Sequence, residues 1–207
     1  MAVRAVLTGD IVNSTRLGKA NERKLLRILK QILDSGLFEF YRGDSFQVYM
    51  KAPKDAFRIA LQCRTAAINI PLEDETISSD VRISIGIGKI TTPVKNLGSA
   101  KGEAFLLSGR AFDEMAASDT RLSIVTSNKL ANEGLQVISD YTNSIFKTMT
   151  SKQAEVIFEL LNGKTQLEIA KKFKRTKSTI SQHVSAGKWN EIEKLLKQYE
   201  NIINQLI

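Results

Sequence analysis

The chain has little cysteine and little histidine: Cys63 and His183 are the only residues of each kind. One cysteine excludes an internal disulfide, and one of each excludes a zinc site built from the usual cysteine and histidine ligands. A serine–histidine hydrolase is also disfavoured, since its base would have to be His183. Three prolines and twelve glycines exclude proline-rich and collagen-like classes. Long apolar runs are missing too. The longest stretch free of Asp, Glu, Lys and Arg is Ser178–Gly187, ten largely polar residues, whereas a membrane span needs ~20 mostly apolar ones. The opening MAVRAVLT is too short and too charged for a signal peptide. These absences predict a cytoplasmic protein with no membrane partner. What is present is ordinary for a globular chain, with 43% hydrophobic and 25% charged residues. A length of 207 residues makes one large domain or two small ones.

Charge of one sign is scarce in one region. Phe146–Ile207 holds 11 basic and 6 acidic residues, a surplus of five, and within Lys164–Lys188 seven basic residues face Glu168 alone. The first 145 residues hold 19 basic against 16 acidic. A local basic excess fits a polyanionic partner, although charge alone is equally a solvated lysine-rich face.

Periodicity divides the chain at about the same place. Residues 2–9 (AVRAVLTG) predict a buried strand ending at Asp10, and residues 19–34 an amphipathic helix stopped by Gly36. Leu37–Arg42 and Ser45–Lys51 are strand-like and joined at Gly43-Asp44, a hairpin signal. Pro53 opens a second helix carrying Ala56, Ile59, Ala60 and Cys63, the cysteine on its apolar side. Val81, Ile83, Ile85 and Ile87 alternate as a strand. Residues 91–103 read as loop, Ala104–Ala117 as helix, Arg121–Thr126 as strand and Gly134–Ser139 as a last strand. The order begins β-α-β-β-α-β, the split βαβ arrangement of ferredoxin-like folds. The expected class is α+β: a ferredoxin-like domain over residues 1–145, then an all-α domain over 146–207.

The C-terminal region carries the sharpest local signals. Thr150-Ser-Lys-Gln153 and Thr165-Gln-Leu-Glu168 are capping boxes, each with its Ser/Thr at the N-cap and Glu/Gln three residues on. Gly163 closes the first of these helices. Thr176 can cap a third helix running from Lys177 to about Ala186. Ile169, Ala170 and Phe173 would face Ile180 and Val184, which makes a helix-turn-helix. The last helix then exposes Lys177, Ser178, Ser181 and Gln182, of which Lys and Gln can read base edges bidentately. Lys171, Lys172, Lys174 and Arg175 lie beside it, where phosphates would run. His183, mid-helix, reads as an ordinary half-exposed histidine. Trp189, Ile192, Leu196, Tyr199, Ile203 and Leu206 form an a/d seam, which either dimerises the chain or covers its own core. Double-stranded DNA and a second copy of the chain are the expected partners.

The segment GKTQLEIAKKFKRTKSTISQHV resembles the helix-turn-helix of LuxR-type regulators and of sigma factor region 4. The N-terminal half resembles class III nucleotide cyclases. GDIVNSTRL and YRGDSFQVY look like that family's two metal motifs, VRISIGIGKI like its strand after the second core helix, and GEAFLLSGRAF like a later motif. The resemblance puts Asp10 and Asp44 at the metal-binding aspartates and Arg110 at the transition-state arginine. It implies Mg²⁺ with a nucleoside triphosphate, whose phosphates would lie on Asn13, Ser14 and Thr15. Read from the residues alone, a carboxylate pair at strand ends can hold Mg²⁺ against a triphosphate, and backbone amides leading into a helix can cradle phosphate.

Several positions depart from the family's pattern. Leu106 stands at its transition-state asparagine, and Phe40 and Ser99 at the lysine and aspartate that select the purine. These losses argue against efficient cyclisation, which depends on positioning and charge stabilisation. The combination resembles the SatD family, which joins a degenerate cyclase-like domain to a helix-turn-helix. The resemblance implies a DNA-binding transcriptional regulator whose first domain senses a nucleotide or dimerises. The alternative is a divergent metal-dependent nucleotidyl enzyme with a DNA-binding appendage.

Overall fold

The computed structural model describes residues 1–41, 43–70, 79–91 and 93–207. Arg42, at the end of the expected second strand, and Thr92, in the expected loop, lie outside the described residues. Among the described residues, five strands make one sheet: β1 (Ala2–Val12), β2 (Leu37–Tyr41), β3 (Ser45–Met50), β4 (Asp80–Ile90) and β5 (Leu122–Thr126). Their order is β2-β3-β1-β4-β5. β1 lies antiparallel between β3 and β4, β2 is antiparallel to β3, and β5 is parallel to β4. The first four strands therefore have the order and senses of two interleaved split βαβ units, and β5 extends the sheet beyond β4.

Helices cover both faces. α1 (Gly18–Leu33) and α2 (Ala56–Ile68) lie over the face that carries Ala5, Leu7, Ile11, Val81, Ile83, Ile85, Phe46 and Val48, all in the main core with Leu25, Leu29, Phe57 and Leu61. α3 (Glu103–Met115) lies on the opposite face, where β4 presents small residues. A Cβ at Gly86 would collide with the Ala104 carbonyl and the Ser108 amide of α3. The missing side chain is therefore what lets the helix backbone sit directly on the strand. The Ser84 Oγ donates to the Ser108 carbonyl at 2.7 Å and fixes the same contact.

The expected last strand at Gly134–Ser139 is not a strand. Those residues lie inside α4 (Lys129–Lys147). A six-residue window hides the relevant period: Leu135, Ile138, Ser139, Thr142, Ile145 and Phe146 are buried at helical spacing over two further turns. The start is also locally encoded, with Asn128 at the N-cap accepting from the Ala131 amide at 3.1 Å.

α5 (Ser151–Leu161), α6 (Gln166–Phe173), α7 (Lys177–Ala186) and α8 (Trp189–Asn204) complete the chain. Both capping boxes form as expected, with Thr150 and Gln153 bonded reciprocally and likewise Thr165 and Glu168. Thr176 accepts from the Thr179 amide at 3.1 Å to open α7. Lys174, between α6 and α7, takes a left-handed conformation (φ 52°).

The expected division at residues 145 and 146 falls in the last turn of α4, and one core runs through both parts of the chain. α5 packs on α2, and α8 packs on α4. The Arg58 Nη1 donates to the Leu161 carbonyl at 3.3 Å, and the Gln62 Nε2 to the Asn162 Oδ1 at 3.0 Å. The apolar stripe of α8 is consumed in this packing. Ile192, Tyr199 and Ile203 are fully buried, and the Tyr199 hydroxyl donates to the Pro53 carbonyl at 2.6 Å. Of the two roles open to the Trp189–Leu206 seam, the fold uses the second: it covers the chain's own core. Burial and the nearby Asp55 carboxylate both push the Tyr199 hydroxyl well above the ordinary tyrosine range. Cys63 is fully buried in the core, and burial raises its thiol as well. Among the described residues, no helix is long and apolar enough to cross a membrane.

Candidate functional sites

Asp10 and Asp44 are neighbours along the backbone but not in chemistry. Asp10 lies within β1, two residues short of its end, because pairing with β4 continues to Val12 opposite Asp80. It points to the α3 face, directly across from Arg82. The Arg82 Nε donates to Asp10 Oδ1 at 3.1 Å and Nη2 to Oδ2 at 2.6 Å, so both carboxylate oxygens are used. The guanidinium also lies over the Phe112 ring of α3, 5.0 Å from its centroid.

Asp44 sits in the β2–β3 turn, where its carbonyl accepts from the Ile11 amide at 3.2 Å. Its carboxylate accepts from the Ser14 Oγ at 2.8 Å and the Ser45 Oγ at 3.4 Å. It lines a hollow of about 380 Å³ with Ser14, Thr15, Lys19 and Glu22, and Asp10 is not part of that lining. The two carboxylates of the expected metal seat have different surroundings: strand alternation sends Asp10 to the α3 face, while Asp44 projects from the turn beside α1. As placed, the residues do not fit a divalent cation at Asp10. Among the described residues, no group of three or more His, Cys, Asp or Glu side chains gathers to hold one.

Asn13, Ser14 and Thr15, expected to hold phosphate, directly follow the strand. Ile11 and Val12 are strand, Asn13 takes a left-handed conformation (φ 60°), and only Ser14–Arg16 form a single 3-10 turn. Ser14 and Thr15 stay together at the hollow, while Asn13 lines a separate polar cavity with Arg64 and Asp80. Arg110 is exposed on α3. Leu106 is also exposed, at 53%, and has no polar atom to offer a developing charge. The two positions corresponding to purine selection are not brought together. Phe40 packs against Phe38 and Phe46 on the α1–α2 side of the sheet, and Ser99 is exposed in the loop before α3.

Two charged constellations escaped the sequence reading. One is Asp10–Arg82. The other is Arg64, fully buried in α2, which makes a fork to Asp80 at 3.1 and 2.7 Å and donates to Asn143 of α4 at 3.1 Å. Its guanidinium lies 4.5 Å from the Phe146 ring centroid. Arg64 thus ties α2, β4 and α4 together. The alternation of Arg82 and Ser84 with the isoleucines showed that both polar residues share a face. Nothing local showed that Asp10 would be opposite.

The second region is α6–α7. Lys177, Ser178, Ser181 and Gln182 are all exposed and form one strip along α7, opposite the buried Ile180 and Val184. Among the described residues no hydrogen bond or ion pair engages the side chain of any of the four. Lys171, Lys174 and Arg175 are exposed beside them. Lys172 differs: its Nζ is 2.6 Å from Oε1 of Glu159 on α5, a carboxylate largely out of solvent. Lys172 itself remains exposed, so the pairing gives its charge an internal partner that Lys171, Lys174 and Arg175 are not shown to have. His183 is half-buried, as expected.

No protein-family profile matches the chain, and no curated protein matches it. Among solved structures, the active GGEEF domain of a diguanylate cyclase from Vibrio cholerae is similar over 62% of this chain and 85% of its own, at 11% identity and a TM-score of 0.42. A bacterial light-regulated adenylyl cyclase is similar over 59% of this chain and 74% of its own, at 15% identity and a TM-score of 0.40. Another such structure covers 60% of this chain and 43% of its own, at 14% identity and a TM-score of 0.40. All three are nucleotide cyclase structures, and likenesses this distant carry no chemistry to this chain.

Proposed function

We propose that this protein is a DNA-binding transcriptional regulator in which α6 and α7 act as a helix-turn-helix and α7 enters the major groove. The observation that carries the reading is the α7 strip: Lys177, Ser178, Ser181 and Gln182 exposed together, with no internal partners. Its composition suits base edges, because Lys and Gln can each pair bidentately and serine assists. Lys171, Lys174 and Arg175 supply the flanking positive charge that phosphates require. The cyclase-like N-terminal domain serves as the sensing or dimerising part. The α8 seam is used internally, so a second copy would have to dock elsewhere. The remaining support for a dimer is the two-fold geometry of most helix-turn-helix operators.

The test is binding of the full chain to genomic fragments across a salt series. The full chain is needed because α5 and α8 pack on α2 and α4. Affinity should fall steeply as salt rises, because neutralised phosphates release counterions. A flat salt response, or no binding at low salt, removes the reading.

The alternative, a divergent nucleotidyl cyclase-like enzyme, draws on the strand order and on the closeness of Asp10 and Asp44 along the backbone. It would use Mg²⁺ with a nucleoside triphosphate at the hollow lined by Ser14, Thr15 and Asp44. It would also require Asp10 to release Arg82, and Leu106, Phe40 and Ser99 leave it without a donor for the developing charge and without base selection. Product analysis after long incubation with nucleoside triphosphates separates the two: robust cyclic product favours the enzyme.

A further inference from the structure

We infer that Arg82 stands in for a divalent cation at Asp10, so that the N-terminal domain is metal-free. The inference is independent of whether the C-terminal helices bind DNA. Three features carry it. First, the fork is complete: Nε and Nη2 of Arg82 take Oδ1 and Oδ2 of Asp10 at 3.1 and 2.6 Å, so each carboxylate oxygen already accepts a charge-assisted bond from a cation of the protein itself. Second, the fork is positioned in advance. Asp10 and Arg82 are direct partners in the β1–β4 ladder, and the guanidinium is sandwiched against Phe112 of α3. Ladder and helix hold it together, so it does not depend on two long side chains meeting by chance on a surface. The side chains of Arg82 and Asp10 are 19% and 21% exposed, so the pair is mostly withdrawn from water.

Third, a guanidinium keeps its charge across the whole working pH range. A divalent cation approaching Asp10 would therefore always meet a like charge within a few ångströms, in a partly desolvated setting. Mg²⁺ also demands near-octahedral oxygen coordination and gives up its water reluctantly. Asp44, the other carboxylate of the expected pair, lies in a different hollow with the Ser14 and Ser45 hydroxyls. The charge that a metal would neutralise in a two-aspartate site is here neutralised by the protein itself.

Mn²⁺ is the probe, because bound ion loses the sharp electron paramagnetic resonance signal of the free aqua ion. The wild-type full chain, titrated with Mn²⁺ alone, should leave that signal undiminished to low millimolar ion. Arg82→Gln frees the Asp10 carboxylate and should gain a Mn²⁺ site at least about tenfold tighter than any in the wild type. Adding Asp10→Asn to that variant should abolish the gain. Arg82→Lys, which keeps the charge, should gain nothing. Wild-type binding of Mn²⁺ that both Asp10→Asn and Asp44→Asn abolish would overturn the inference. That wild-type measurement decides the matter even if Arg82→Gln does not fold.

Discussion

The α3 face of the sheet and the exposed strip of α7 are both polar, and they differ in what their polar groups do to one another. On the sheet, register brings Asp10 against Arg82, and across the α2–β4 contact Arg64 meets Asp80. On α7, Lys177, Ser178, Ser181 and Gln182 share a face with no internal partner. The first arrangement spends its polar groups on the fold, and the second leaves them for something outside. An acidic residue at a motif position is therefore available to a ligand only to the extent that the tertiary structure leaves it unpaired.

The sharpest way to break that contrast is at Arg64. Arg64→Ala removes the guanidinium that neutralises Asp80 and orders Asn143, and leaves a buried carboxylate with no countercharge and only the Val81 amide as a partner. Chemical denaturation should register a loss of about 3–5 kcal/mol. A loss below about 1 kcal/mol would show that the pair is not structural, since even ordinary surface changes approach half that size.

Gln182→Ala should do the reverse. It should leave stability within about 0.5 kcal/mol while reducing discrimination between a specific site and random DNA by about 1–3 kcal/mol. Equal losses on both DNAs would take Gln182 out of base reading. Tyr199→Phe addresses the α8 stripe, which belongs with the sheet in spending its groups internally. Losing the bond to the Pro53 carbonyl while keeping the ring should cost about 1–2 kcal/mol in a denaturation experiment. Unchanged stability would show that the hydroxyl contributes nothing to seating α8.

The smallest effect concerns the start of α6. The Thr165 backbone amide and then its hydroxyl hold the Glu168 carboxyl below the usual carboxylate range. A depressed folded-state value means that the stabilisation is complete above the unfolded value and disappears as pH falls through the folded one. Protection against amide exchange at the first turn of α6, relative to the intrinsic rate at each pH, should therefore fall below about pH 4, and Glu168→Gln should remove most of that pH dependence. Protection that stays unchanged in acid would mean the box is not maintained in solution.

Legibility followed the range of the interactions. The capping boxes of α5 and α6, the Thr176 cap and the Val81–Ile87 alternation each involve residues within one or two turns or along one strand, and each could be read directly. Gly134–Ser139 was misread because a short apolar window fits a strand and a buried helix equally, and the turns that decide it lie beyond the window. Lys172 looked like its lysine neighbours until the packing of α5 against α6 set it beside Glu159.

The order of the first six elements, the caps and turn of α6–α7, and the polar composition of the α7 strip follow from local sequence. Neighbours in sequence supply all the forces involved in these. The tertiary structure alone decided which polar groups would be left over. Asp10 and Arg82 are 72 positions apart, and only the β1–β4 register makes them partners. Tyr199 finds the Pro53 carbonyl across 146 positions, and only the packing of α8 onto the rest of the chain turns a seam that suits a second copy into the chain's own core. Hydrogen bonds and burial act over a few ångströms, so whether a charged or apolar side chain stays available depends on distant residues that the local pattern does not contain.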